Sequence, residues 1–184
     1  VSKVNTDGSV EKFADVLEGP SGITSDAHGN LYVSHFGSFE GDGDTILKIT
    51  PEGVVSTYST GGLLAAPVGT TLDEEGNLYV ANFNNGIILQ ITPDGAQTMI
   101  AEIPSEVGFA VGHLEFVDHK LFISNPAEGR VFKIRFGRNH IGQLKELNAS
   151  KRLTFPNGLT YNPVTNSIIV AEVQQTAKIV SIQL

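Results

Sequence analysis

The sequence predicts an all-β fold, a β-propeller of four-stranded antiparallel blades with about four blades visible. Three observations carry that prediction. One text of short apolar runs recurs four times, each run is closed by its own turn signal, and no 3.6-residue apolar period of useful length competes. The clearest copy is PVGTTLDEEGNLYVANFNNGIILQITPDG, residues 67–95. There VGTTL leads into Asp73-Glu74-Glu75-Gly76-Asn77, LYVAN into Phe83-Asn84-Asn85-Gly86, and IILQI into Thr92-Pro93-Asp94-Gly95. Runs of this length, rich in Val, Ile, Leu and Tyr and bounded by Asp-Gly or Gly-Asn punctuation, are strands joined by hairpins.

Upstream, PSGITSDAHGNLYVSHF and ILKITPEG copy this text; downstream, AVGHLEFVDHKLFISNP with RVFKIR, then PNGLTYNPVTNSIIVAE with KIVSI, copy it again. The first-run glycines Gly22, Gly69, Gly112 and Gly158 are separated by 47, 43 and 46 residues. A period of about 40–50 residues carrying four short strands is that of a propeller blade. The repeats fall near 20–65, 66–109, 110–154 and 155–184 within a single domain, 1–184. Residues 1–18 match a third and fourth strand, so they read as part of a preceding or closing blade. An arc of blades would expose apolar faces, so the expectation is that further blades complete it or that it pairs end to end as a homodimer.

Composition narrows the function. With no cysteine, disulfides and thiolate metal sites are excluded. No apolar run approaches the roughly 18 residues of a membrane span, and a net charge of −8 argues against nucleic acid as partner. The compartment is not encoded, with a secreted or periplasmic setting the favoured one. Residues 1–102 hold 14 acids against 3 bases, and 103–184 hold 6 acids against 9 bases. An anion-facing edge and an ordinary solvated blade surface are the two readings of that asymmetry.

In a blade the start of the first strand and the end of the second share a rim, and the first strand lines the central channel. Four pairs therefore surround the mouth: Ser21 with His35, Val68 with Asn82, Val111 with Asn125, and Asn157 with Glu172. Amide and carboxylate oxygens converging on a channel suit Ca²⁺ or another divalent cation. Asn82 and Asn125 read equally as strand terminators. Asp73, Glu74 and Glu75 lie on the opposite face, as solvated turn residues. His113, beside Gly112 on an inner strand, is a candidate general base or a structural histidine. His28, His119 and His140 fall in turns or loops. In the insertion GSFEGDGDT, 37–45, Glu40, Asp42 and Asp44 alternate with the 1-3-5 spacing of a calcium loop; it reads as a flexible acidic loop on the mouth side, able to act as a lid, with a weak cation site as the alternative. Asn148-Ala149-Ser150 is a glycosylation sequon. No G-x-S-x-G elbow is present, which argues against acyl-enzyme chemistry.

FPNGLTYNPVTNSIIVAE, residues 155–172, resembles the metal-site blade of the senescence marker protein/gluconolactonase family. It is also similar to the equivalent blade of paraoxonase and strictosidine synthase-like proteins. The resemblance implies a six-bladed propeller in which Asn157 is a ligand of a central calcium or other divalent ion. It implies an acidic ligand near the propeller's start, which Glu18 matches, and Glu172 ends the same blade as a further carboxylate. Copies 20–36 and 67–83 equally resemble NHL-repeat propellers, which mostly bind partners. Two functions follow as expectations. One is a calcium-dependent hydrolase of lactones or related esters, with His113 or His35 as base. The other is a non-catalytic propeller binding a protein, peptide or glycan.

Overall fold

The computed structural model describes residues 1–105, 110–137, 140–148, 150–173 and 177–184. Those residues form antiparallel sheets, and no helix among them is long and apolar enough to cross a membrane. β1 (Ser2–Val4) and β2 (Val10–Lys12) make a hairpin. Blade 1 is β3 (Pro20–Ser25), β4 (Leu31–His35), β5 (Thr45–Ile49) and β6 (Val55–Thr60), paired in chain order. Blade 2 repeats this with β7 (Pro67–Leu72), β8 (Leu78–Asn82), β9 (Ile87–Ile91) and β10 (Gln97–Glu102). Blade 3 holds β11 (Leu114–Val117), β12 (Lys120–Asn125) and β13 (Arg130–Gly137), with β14 (His140–Ile141) and β15 (Lys145–Glu146) both on β13. Blade 4 is β16 (Pro156–Asn162), β17 (Ser167–Glu172) and β18 (Lys178–Gln183). The fold class is the one the repeats predict.

The hairpin turns are more than solvated connections. Asp26 accepts from the backbone of His28 and Asn30, from the Asn30 amide and from the Tyr32 hydroxyl. Asp73 repeats that set with Glu75, Asn77 and Tyr79. The expectation of a merely solvated Asp73 is thus corrected: its carboxylate fixes the turn and reaches the core tyrosine. Burial opposes ionisation of Asp26, yet the Asn30 side chain and the Asn30 and His28 backbone hold its carboxyl below the ordinary range.

Blades stack through a repeated close approach. A β-carbon on Gly22 would stand 2.0 Å from the Val68 carbonyl oxygen, and one on Gly69 would stand 2.5 Å from that of Gly112. Only glycine lets inner strands come this near. Ser34 reinforces the contact, its Oγ accepting from Gly22 N and donating to the Val68 carbonyl, both at 2.7 Å. Between blades the third strands supply the core: Ile46, Ile88 and Val131 occupy one repeat position and are each 0% exposed.

Blade 4 turns the same elements outward. At that repeat position Ile179 is 79% exposed, and Gly158 has nothing within 4 Å of its would-be β-carbon. Burial of such a side chain contributes about 1.5–3 kcal/mol. Ile88→Ala should therefore cost about 2–5 kcal/mol in urea unfolding, whereas Ile179→Ala should stay within about 0.5 kcal/mol. Equal losses at the two sites would show that Ile179 is covered in solution.

Candidate functional site at the channel mouth

A register slip recurs at the start of three of the four inner strands, β3, β7 and β16. Pro20 pairs with His35, Pro67 with Asn82 and Pro156 with Glu172, and register slips before Ile23, Thr70 and Leu159. The second-strand ends thus face the prolines, one residue before Ser21, Val68 and Asn157. The extra residue in a bulge re-aims its side chains. Ser21, Val68, Val111 and Asn157 line one cavity of about 380 Å³, together with His113, Phe83, Phe155 and Pro126.

The partners assigned to the mouth from the second strands do not join them in that lining. Asn82 is fully buried, its Oδ1 accepting from Ala65 N at 3.1 Å and its Nδ2 donating to the Leu63 carbonyl at 2.7 Å. Asn125, also fully buried, accepts from Glu128 N at 3.0 Å. Glu172 accepts from Thr154 N. His35 buries its Nδ1 without a hydrogen-bond partner and is absent from the cavity lining. Glu18 is exposed and lies outside the cavity lining. Asn82 and Glu172 hold the chain segments leading into β7 and β16, a task with no apolar period to reveal it.

What the cavity offers a cation is accordingly small. Among the described residues its side-chain oxygens are those of Asn157 and Ser21, no carboxylate lines it, and no group of three His, Cys, Asp or Glu side chains converges anywhere. Ca²⁺ takes 6–8 oxygens. The two side-chain oxygens of the described residues are fewer than that number.

His113 and Asn157 are held together by Ser124, which the repeat pattern did not single out as functional. Ser124 Oγ accepts from His113 N at 2.8 Å and donates to the Asn157 carbonyl at 2.6 Å. Asn157 Oδ1 stands 2.9 Å from the place a β-carbon on Gly112 would take. The readable signal was Ser34, Ala81, Ser124 and Ala171 recurring just before the second-strand ends, where serine in place of alanine marks an interblade bond. Burial pushes the His113 imidazole below its ordinary 6.5, leaving it neutral at pH 7.

That shift has a signed consequence. The unfolded chain takes up the His113 proton near pH 6.5, and the folded protein only below it. Stability therefore falls as pH drops from about 6.5 through the depressed folded value. His113→Gln should lose less stability than the wild type between pH 7 and pH 5, read as the shift in urea midpoint.

The acidic insertion is packed rather than mobile. Gly41 and Gly43 are buried, Asn84 Nδ2 donates to the Gly41 carbonyl at 2.7 Å, and Ala66 N donates to that of Gly43 at 2.7 Å. Phe36 meets Phe83 edge-on at 5.2 Å. Its acids do not converge: Asp42 accepts from Ser38 N, Asp44 accepts from Thr45, and Glu40 is exposed. Deleting Gly37 to Gly41 should lower Tm by more than about 4 °C, roughly the loss of one or two kcal/mol in a chain of this size. An unchanged Tm would restore the mobile lid. Asn148 of the sequon is buried, bonding Val131 N and the Gly129 carbonyl at 2.8 Å each, so its amide is engaged within blade 3.

A wider groove of about 620 Å³ opens on the opposite face, lined by Asp26, Tyr32, Lys48, Tyr58 and Asp73 among others. Of its carboxylates, Asp26 and Asp73 are engaged in closing the turns.

No family model matches the chain, and no curated protein matches it. Solved structures do. A streptogramin B lyase structure aligns with TM-score 0.73 at 16% identity, over 100% of this chain and 61% of that one. A catalytically inactive histidine-to-alanine variant of virginiamycin B lyase from Staphylococcus aureus, with quinupristin, aligns with TM-score 0.70 at 18% identity, over 100% and 62%. A nidogen/laminin complex aligns with TM-score 0.67 at 15% identity, over 88% and 60%. These likenesses show the fold alone. The chain spans about three-fifths of the length of these structures. Propellers of this shape thus include an enzyme and a component of a protein complex.

Proposed function

We propose that the channel mouth is a small-molecule site that hydrolyses a lactone or related ester. The observation that supports this most is the placement of a neutral His113 and of Asn157 on one cavity, joined through Ser124. A neutral imidazole accepts a proton from water as the water oxygen attacks the carbonyl carbon. The Asn157 amide and Ser21 hydroxyl donate to the carbonyl oxygen as it gains charge. The carbon–oxygen bond to the leaving group then breaks, and the imidazolium returns its proton to the departing alkoxide. Phe83 and Phe155 give the cavity apolar walls for an uncharged ligand.

One feature favours partner binding instead. Phe39, at 105% exposure, stands at the tip of the insertion. Turnover of δ-valerolactone and phenyl acetate, followed by titrating the acid released, separates the readings. Hydrolysis above background that is lost in Asn157→Ala supports the site; no turnover of either ester leaves the partner-binding propeller as the account.

A further inference from the structure

The strongest departure from repeat symmetry away from the mouth is electrostatic and lies on blade 3. Lys133 of β13 stands opposite Lys145 of β15, and Arg135 stands opposite Lys120 of β12. Side chains alternate along a strand, so Lys133 and Arg135 share a face. The register adds Lys145, Lys120 and Phe122 to it, and Phe122 packs toward blade 4. The positions matching Lys133 and Lys145 hold Lys48 with Ser56 in blade 1 and Gln90 with Thr98 in blade 2. Those matching Lys120 and Arg135 hold Asn30 with Thr50 and Asn77 with Thr92. Only blade 3 of these places a base at every one. Like charges directly opposed across strands destabilise a sheet, so four bases together call for a counter-charge.

Among the described residues the surrounding acids meet that need only at the Lys120–Arg135 end of the face. Asp118 is paired with Lys120. Glu146 pairs with Phe132 in register, on the other face, where it meets Arg130 and Arg152; Arg130 Nε also lies 2.9 Å from Glu128. Glu115 is on the basic face, but Phe122 separates it from Lys133 and it faces Thr160 of blade 4. Residues 155–184 carry one carboxylate, Glu172, which is bound to Thr154 N at the mouth end. Consistent with this, burial first and then Lys145, Arg135 and Lys120 push the Lys133 ammonium below its ordinary range.

We propose that this face binds the oxyanion of a phosphate or sulfate ester, with Lys133 and Lys145 as paired ammonium donors and Arg135 as the planar one. Arginine's fork matches such an anion bidentately, and lysine meets it as a point charge. In a chain of net charge −8 the patch is the place where a small dianion escapes the general repulsion.

The test titrates sodium phosphate and sodium sulfate into the protein at constant ionic strength, read by thermal unfolding and calorimetry. Both anions should raise Tm saturably. Lys145→Ser, which installs blade 1's residue, should raise Tm in the absence of anion and weaken anion affinity at least fivefold. Lys133→Gln should weaken it likewise, and Lys3→Ser, on the exposed first hairpin, should change neither. Tighter phosphate than sulfate assigns a phosphate ester, and the reverse a sulfate ester. A rise no larger than sodium chloride produces, or one undiminished in both Lys145→Ser and Lys133→Gln, marks an adventitious ion only and overturns the proposal.

Discussion

Gly22→Ala should destabilise the protein by at least about 3 kcal/mol, near the upper end of overpacking losses. Its new methyl would stand 2.0 Å from the Val68 carbonyl oxygen and 3.1 Å from Ser34 Oγ. The nearest of these atoms is backbone on the next blade's inner strand, so relief requires blades 1 and 2 to part. Parting them would also break the bond from Ser34 Oγ to Val68 and loosen the packing of Tyr32 and Ile46 against Val80 and Leu89. Gly158→Ala is the matched control, with nothing within 4 Å of the added methyl. Its backbone needs no left-handed conformation, so it should be neutral or stabilising by up to about 1 kcal/mol. Equal effects at the two glycines would contradict the interblade contact as the reason for glycine in this repeat.

The other large effect concerns His113. His113→Gln keeps a polar side chain of similar reach but removes the group that can carry a proton. Ester hydrolysis should fall at least a hundredfold in kcat/KM, about 2.7 kcal/mol of transition-state stabilisation. Substrate binding should change far less, because the cavity walls of Val68, Val111, Phe83 and Phe155 remain. In the wild type, activity should rise with pH through the depressed imidazole value and be flat by pH 7, since the neutral form is the active base. A wild-type profile still climbing through pH 8, or hydrolysis undiminished in His113→Gln, would remove His113 from that role.

The repeats were legible because each blade must bury the same alternating positions. Tyr32, Tyr79 and Phe122 occupy one repeat position, and all three end in the core. The mouth was half legible. Ser21, Val68 and Asn157 meet there because each sits at the start of an inner strand, and Val111 joins them from the segment just before β11. Their supposed partners were misplaced by one residue, since a bulge leaves no mark in an apolar pattern. Pro20, rather than Ser21, sits across from His35. The destinations of the Asn82 and Glu172 side chains were hidden for a related reason: both bond backbone groups outside the strands, at Leu63, Ala65 and Thr154. The insertion 37–45 looked mobile because its composition is small and acidic. What packs it is Asn84 of the next blade, a contact no local pattern encodes.

The location of a bound ester tests the account most directly. Backbone and ring resonances of the protein would be followed as δ-valerolactone is titrated in. The account predicts saturable shifts at Gly22, Gly69, Gly112 and Asn157 and at the His113 ring, the groups that line the mouth. Shifts confined to the opposite-face groove around Asp26, Tyr58 and Asp73, or to the insertion around Phe39, with the mouth unmoved, would contradict it.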